Sequence, residues 1–176
     1  MRGNYEYRCI HCANCCRGII QVIIYEDDLK KLIHNEGSHI VQNLMLNPRS
    51  FSPLRLEKME EGQRLKVVDF ILKNHEYKGE GDGFQIERPF LKRNWGSRPV
   101  LIPKNLEIIL QGIDLDLEYI LTHELHGQCP FLSENLCVIQ ASKPKVCRQF
   151  PFDKENHLRV DDFVLATCRG VQPVKL

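Results

Sequence analysis

The residues of this sequence that could do chemistry are its cysteines, which form two separate groups of four. They are Cys9, Cys12, Cys15 and Cys16 near the start of the chain, and Cys129, Cys137, Cys147 and Cys168 in its last third. A chain of 176 residues buries enough apolar surface to fold without disulfide staples. The cysteines therefore need an explanation other than cross-linking.

The spacing of the first group favours metal binding. Disulfides within residues 9–16 would close very small loops, which gain little stability, and a bond between the neighbours Cys15 and Cys16 would be strained. A C-x2-C-x2-C spacing instead lets three thiolates surround one metal, as in zinc knuckles and bacterial ferredoxins, with a further ligand from elsewhere. Since the side chains of Cys15 and Cys16 are expected to diverge, that further ligand is expected from the second group.

Charge also connects the two groups. Residues 1–17 and residues 129–150 each contain three basic residues and one acidic residue, in a chain whose net charge is +1. Nearby cations stabilise the negative charge of a thiolate site. Arg17 and Arg148 directly follow cysteines, and charge compensation is preferred over binding of an anionic substrate. All eight cysteines are candidate ligands, although Cys168, placed near the end of a predicted strand, could instead be a buried apolar residue.

The residues around both groups carry a family resemblance. Cys9–Cys16 is followed by Arg17-Gly18, and the second group contains Cys129-Pro-Phe-Leu, Cys137-Val-Ile, Lys143-Pro144 and Cys147-Arg-Gln-Phe-Pro151. Together these elements resemble the zinc- or iron-chelating domain family named for its CxxCxxCC signature, also called the YkgJ family. The sequence departs from the family at Gln140, where tyrosine is usual, and at Lys143, where arginine is usual. Residues 38–120 match no element of the family.

The resemblance implies a metal-binding function and leaves the metal open. Because the family is distantly related to flagellin lysine N-methylase, it implies an iron-sulfur cluster, [4Fe-4S], and a redox or group-transfer enzyme acting in a manner like protein methylation. The alternative is a zinc-stabilised, non-catalytic binding or structural module, since eight cysteines divide into two four-thiolate sites. No catalytic residue is assigned, a protein substrate or partner remains open, and the oligomeric state is not indicated.

Other motifs are weaker. His123-Glu-Leu-His126 is one residue too short for the metalloprotease pattern, and His11 and His126 are interpreted as solvent-facing rather than as substitute ligands. The glycine-rich stretch 78–83 is interpreted as a turn rather than a phosphate-binding loop.

The balance of charge indicates no nucleic-acid partner. The apolar stretch Ile19–Tyr25 is too short to cross a membrane, and the N-terminus lacks an apolar signal core, so a cytoplasmic protein is expected.

The pattern of the remaining residues predicts a single α+β domain over residues 1–176, with a small, mainly antiparallel sheet and helices, and with a metal site that joins the N- and C-terminal segments. Strands are expected at Gly18–Tyr25, Leu65–Leu72, Phe84–Phe90 and Pro99–Ile102. Helices are expected from Glu26 to about Asn35, from Ser38 to Asn47, after Asp114 through Leu121, and from Pro144.

Overall fold

The chain contains helices and short antiparallel strands in a computed structural model that describes residues 4–17, 21–78, 84–87, 90–93, 100–122 and 127–174. The helices are α1 (Glu26–Glu36), α2 (Pro53–Leu56), α3 (Glu61–Asn74), α4 (Leu106–Asp114), α5 (Lys145–Gln149) and α6 (Asp162–Thr167). The strands are β1 (Tyr5–Tyr7), β2 (Ile23–Ile24), β3 (Leu44–Leu46), β4 (His75–Lys78), β5 (Phe84–Glu87), β6 (Phe90–Arg93), β7 (Val100–Pro103), β8 (Tyr119–Leu121), β9 (Leu132–Ser133), β10 (Leu136–Cys137) and β11 (Val171–Pro173). The predicted α+β class is confirmed.

The core is built around a three-stranded sheet of order β2-β8-β3. Both outer strands pair antiparallel with β8, so that Ile23 and Met45 lie on either side of Ile120. All three residues of β3 are fully buried, and Tyr119 in β8 is as well. The other described strands form antiparallel pairs: β1 with β11, β4 with β7, β5 with β6 and β9 with β10.

Helix α1 follows the sequence prediction. Glu26, Asp27 and Asp28 occupy its first turn, where negative charge is favourable beside the free N–H groups of the helix N-terminus. Leu29 and Leu32 are fully buried in the main hydrophobic cluster. The helix ends at Gly37, whose φ of 83° favours glycine.

The strand predicted at Leu65–Leu72 is wrong, because these residues belong to α3. Their β-branched and aromatic content favours a strand, but Val67, Val68 and Ile71 are buried with the three- and four-residue spacing of a helix face. Burial of that face in the main cluster outweighs the intrinsic β-propensity.

Two helix predictions also fail. Ser38–Asn43 forms a 3-10 turn rather than an α-helix, and Leu44–Leu46 forms β3, although the apolar residues of this stretch are buried as expected. Asp114 ends α4 instead of capping a helix; of the apolar residues after it, Ile120 and Leu121 lie in β8 and Leu117 precedes that strand. Short fully buried strands have no alternating pattern, so they resemble helix segments in sequence.

The other strand predictions are confirmed in part. Of Phe84–Phe90, residues 84–87 form β5 and Phe90 begins β6, while 88–89 lie outside the described residues; residues 100–102 lie in β7. Of the strand predicted at 18–25, only Ile23–Ile24 pairs as a strand in the described part, and residues 18–20 lie outside it. Of the turn predicted at 78–83, Lys78 ends β4 and residues 79–83 lie outside the described residues. Among the described helices, none is long and apolar enough to span a bilayer.

Candidate metal centre

The pairing of β1 with β11 brings the two ends of the chain together. Tyr7 lies opposite Val171, and the N–H of Arg8 donates to the carbonyl of Gly170 over 2.9 Å. A Cβ at position 170 would overlap the Arg8 carbonyl, so this close approach requires glycine. Because Cys9 follows β1 and Cys168 precedes β11, the pairing draws the first cysteine of the chain toward the last.

The first cysteine group lies on a compact loop. His11 and Ala13 adopt left-handed backbone conformations, with φ of 53° and 58°. The loop then enters a 3-10 turn, Asn14–Cys16, in which the Cys16 N–H donates to the Ala13 carbonyl over 2.9 Å. Non-glycine residues adopt positive φ infrequently, so the surrounding structure has to hold this loop in place.

Direct contacts join this loop to the second cysteine segment. The N–H of Cys129 donates to the Cys16 carbonyl over 2.6 Å. The Arg17 guanidinium donates to the Cys12 carbonyl over 2.8 Å and to Asn135 Oδ1 over 2.6 Å. Arg17 therefore connects the two segments mechanically, a role that the sequence did not indicate.

The second segment presents its cysteines from several short elements. Cys137 ends the β9–β10 hairpin. Cys147 lies on α5, which begins after Pro144 as the sequence predicted. Asp28 of α1, only 2% exposed, accepts a hydrogen bond from the Lys145 N–H at 2.8 Å and lies 3.6 Å from Arg148 Nη2. Arg148 thus faces a carboxylate of the core.

Cys168 does not lie near the end of a strand, and that expectation was wrong. It follows α6, and its N–H donates to the Val164 carbonyl over 2.7 Å. The N–H of Val171 then donates to the Cys168 carbonyl over 3.1 Å, which closes a turn into β11. This turn brings Cys168 to the wall of a cavity.

All eight cysteines line two adjoining cavities. The outer cavity is lined by Cys9, Cys12, Cys15, Cys16, Cys137, Cys147 and Cys168. The inner cavity is lined by Cys15, Cys16, Cys129, Cys137 and Cys147. Both cysteine groups therefore face the same space, and every one of these thiols is free.

Sulfur spacing distinguishes one pair from the rest. Cys15 Sγ and Cys16 Sγ are 3.9 Å apart, so their side chains do not diverge as expected from sequence. In the described part of the chain, no three cysteine sulfurs all lie within 4.8 Å of one another. The cavities are thus lined by one close pair of sulfurs and by further thiols that are more widely spaced.

Burial keeps several of the thiols neutral. It raises the pKa of Cys129 to about 11 and that of Cys147 to about 12, and it also raises the pKa of Cys168. The sulfur–sulfur hydrogen bond raises the pKa of Cys15 and lowers that of Cys16. A metal cation bound by these thiols would lower their pKa values instead, because a coordinating thiol loses its proton.

Lys143 is the cation that faces the thiols. It lines both cavities, and its charge opposes the rise in the pKa of Cys15, Cys129 and Cys147. In the sequence, Lys143 is one of the three basic residues of 129–150 and also a departure from the family pattern. Gln140, the other departure, lines the outer cavity as well.

Other lining residues were missed from the sequence. Tyr7 lines the outer cavity, and burial, followed by the charge of Cys9, raises its pKa. Thr167 and Asn135 also line this cavity, and Phe150 lines both cavities. Tertiary contacts bring these residues to the thiols, so spacing along the chain carried no signal for them.

Of the histidines considered as substitute ligands, His11 is exposed and lines the outer cavity, whereas 123–126 lie outside the described residues. A separate group that the sequence did not indicate is formed by Asp153, Glu155 and His157, whose ligand atoms lie within 4.8 Å of one another on an exposed turn. These residues line neither cysteine cavity.

No protein-family model, curated protein or solved structure matches this chain. The resemblance to the CxxCxxCC family, and the role of the eight cysteines as ligands, stay predictions.

Proposed function

We propose that this chain is a metal-binding protein that carries an iron-sulfur cluster, [4Fe-4S], on cysteines from both ends of the sequence. The observation that carries the proposal is the convergence of eight free thiols, from segments more than one hundred residues apart in sequence, on two adjoining cavities. Ordinary core packing has no need to collect every cysteine of a chain in one place.

The spacing of the sulfurs supports a cluster. Zn–S bonds of ~2.3 Å in a tetrahedron place the four sulfurs about 3.8 Å apart. A cluster carries each thiolate on a different iron and so holds its ligands further apart. Among the described cysteines, no three sulfurs lie within 4.8 Å of one another. This wide spacing fits the ligands of a cluster better than those of a single zinc ion.

Charge supports the same proposal. Lys143 lies among the thiols and would offset part of the negative charge of a cluster with four thiolates. The apolar walls of the inner cavity, which include Val22, Leu121 and Ile139, would shield the bound group from water. Burial and hydrogen bonding to the sulfurs are the features that adjust the reduction potential of such a group.

The zinc-stabilised module is the second candidate, and one distance favours it. The separation of 3.9 Å between Cys15 Sγ and Cys16 Sγ is close to that expected for two ligands of one tetrahedral zinc. In that case the metal would order the loops, and no substrate would approach it.

An iron-sulfur centre supplies one-electron transfer, which suits a redox or group-transfer enzyme. Tyr7, His11 and Gln140 line the outer cavity and are the side chains available to bind and orient a substrate or protein partner there. Free thiols and an iron-sulfur centre are compatible with a reducing compartment, and the cytoplasm is the proposed location.

Anaerobic purification of the full chain tests the proposal. We expect a coloured protein whose visible absorption is bleached by dithionite, with iron and acid-labile sulfide in equal amounts. A colourless protein with stoichiometric zinc would select the zinc module instead. Protein free of both metals, even after anaerobic incubation with iron and sulfide, would refute both candidates.

A further inference from the structure

The eight cysteines divide into two sets by what they pack against. Cys129 belongs to the main hydrophobic cluster, and three other cysteines pack against it: Cys16, Cys137 and Cys147. The remaining four have no part in that cluster: Cys9, Cys12, Cys15 and Cys168. Each set contains four thiols, the number that one cluster or one structural zinc uses.

We propose that the chain holds two metal centres, an inner one on Cys16, Cys129, Cys137 and Cys147 and an outer one on Cys9, Cys12, Cys15 and Cys168. This inference rests on the proposed function, and it adds the number of centres and the division of ligands between them.

The inner set is connected through the core. The hydrogen bond from the Cys129 N–H to the Cys16 carbonyl, at 2.6 Å, places these two residues side by side. Cys129 lines the inner cavity but not the outer one. Cys137 and Cys147 also reach the outer cavity, but their packing against the core places them on its inner side.

The outer set is connected through the chain ends. Cys9, Cys12 and Cys168 line the outer cavity but not the inner one. The pairing of β1 with β11 holds Cys9 near Cys168, independently of the core. This assignment gives Cys168 the role of a ligand.

The neighbours Cys15 and Cys16 form the boundary between the two centres. Both line both cavities, and their sulfurs are 3.9 Å apart, yet only Cys16 packs against the core. In the bacterial ferredoxin run, cysteines that are close in sequence likewise ligate different clusters. Two redox centres whose ligands are adjacent residues would exchange electrons directly, so this boundary suits electron transfer.

Iron content separates two centres from one. The full chain and two double variants, Cys9→Ser/Cys168→Ser and Cys129→Ser/Cys147→Ser, are incubated anaerobically with ferrous iron and sulfide, and iron and sulfide are counted per folded chain. We expect about eight irons in the parent protein and about half in each double variant. Ile10→Ala, which alters the outer cavity without removing a thiol, should keep the full content.

Each outcome decides the matter. Four irons in the parent protein, or full parental content in Cys9→Ser/Cys168→Ser, would overturn the two-centre proposal and leave a single cluster in place. A parent protein without iron would instead refute the proposed function. The outer double variant alters the exposed Cys9 and the half-buried Cys168, neither of which belongs to a hydrophobic cluster, so it decides the question even if the inner one fails to fold. Electron paramagnetic resonance of the fully reduced parent should also show interaction between two spins that is absent from both double variants.

Discussion

Around β8 the side chains pack on a three-stranded sheet and the eleven-residue helix α1, whereas around the two cavities the chain forms a 3-10 turn, the two-stranded β9–β10 hairpin and the five-residue helix α5. The β8 region, defined by β2, β3, β8 and α1, buries large apolar side chains completely. The cavity region, defined by residues 9–17 and 127–150, surrounds open space with thiols. Burial is the main source of stability in the first region, whereas a bound metal would add to the stability of the second.

The largest effect is expected from removal of the metal, which should destabilise the cavity region and leave the β8 region protected. Structural metal sites contribute on the order of 10 kcal/mol to the folding of the segments they hold. After anaerobic chelation of the full chain, amide hydrogen exchange should accelerate in residues 9–17 and 127–150, while β3 and β8 stay protected. Unchanged protection in the cavity region would show that its contacts are sufficient without metal.

Leu44→Ala should destabilise the β8 region and leave metal binding in the cavity region unchanged. Leu44 is fully buried in β3, and its truncation should lower the free energy of unfolding by about 2–5 kcal/mol. Urea unfolding measures this loss, and metal content per folded chain should stay at the parental value. Exposed Leu54→Ala is the matched control, with little expected effect because this side chain is 69% exposed. Loss of metal in folded Leu44→Ala protein would mean that the two regions are not independent.

The same two regions differ in what the sequence could predict. Helix α1 was predicted because acids at its start, a periodic apolar face and Gly37 all agree. Helix α3 was not predicted, because Val67, Val68 and Ile71 favour a strand locally. Their burial in the tertiary structure outweighs that preference. Strand β8 was mistaken for helix because three buried residues carry no periodicity.

In the cavity region, cysteine spacing and local charge identified the residues that converge, and Pro144 predicted α5. The sequence counted Lys143 among the basic residues beside the second cysteine group, whereas the position of Tyr7 could not be predicted, because tertiary contacts bring it to the thiols. The clasp formed by Arg17 depends on Asn135, a residue 118 positions away. Sequence thus identified the reactive groups but not the contacts that hold them.

A pH effect should come from His75 in β4, which contacts Tyr119 of the β8 region. His75 is 6% exposed, and its Nδ1–H donates to the Ile71 carbonyl over 3.2 Å while its Nε2 lies 3.1 Å from the Tyr119 hydroxyl. Burial lowers its pKa to about 4, against about 6.5 in an unfolded chain. Between these values the unfolded chain binds more protons, so stability should fall by up to about 3 kcal/mol as the pH decreases from about 6.5 to about 4.

Urea unfolding over this pH range, compared between the parent protein and His75→Gln, isolates that contribution because acid effects on the thiol region are common to both. The parent curve should fall more steeply with acid than that of the variant. Parallel curves would mean that His75 titrates normally in the folded protein.

The smallest expected effect concerns the Arg17 clasp between the two cysteine segments. Its two N–H donors reach Cys12 O and Asn135 Oδ1 at once, and a lysine, with one ammonium group, cannot reproduce that fork. Because the contacts are exposed, Arg17→Ala should cost only about 1 kcal/mol, which corresponds to metal release about five times faster to a chelator. Asn135→Ala should give a similar change, and the double variant should be little worse than either single one, because both remove the same contact. Arg17→Lys decides between the two roles for this residue: release as fast as in Arg17→Ala supports the clasp, whereas parental release would mean that Arg17 acts through its positive charge alone.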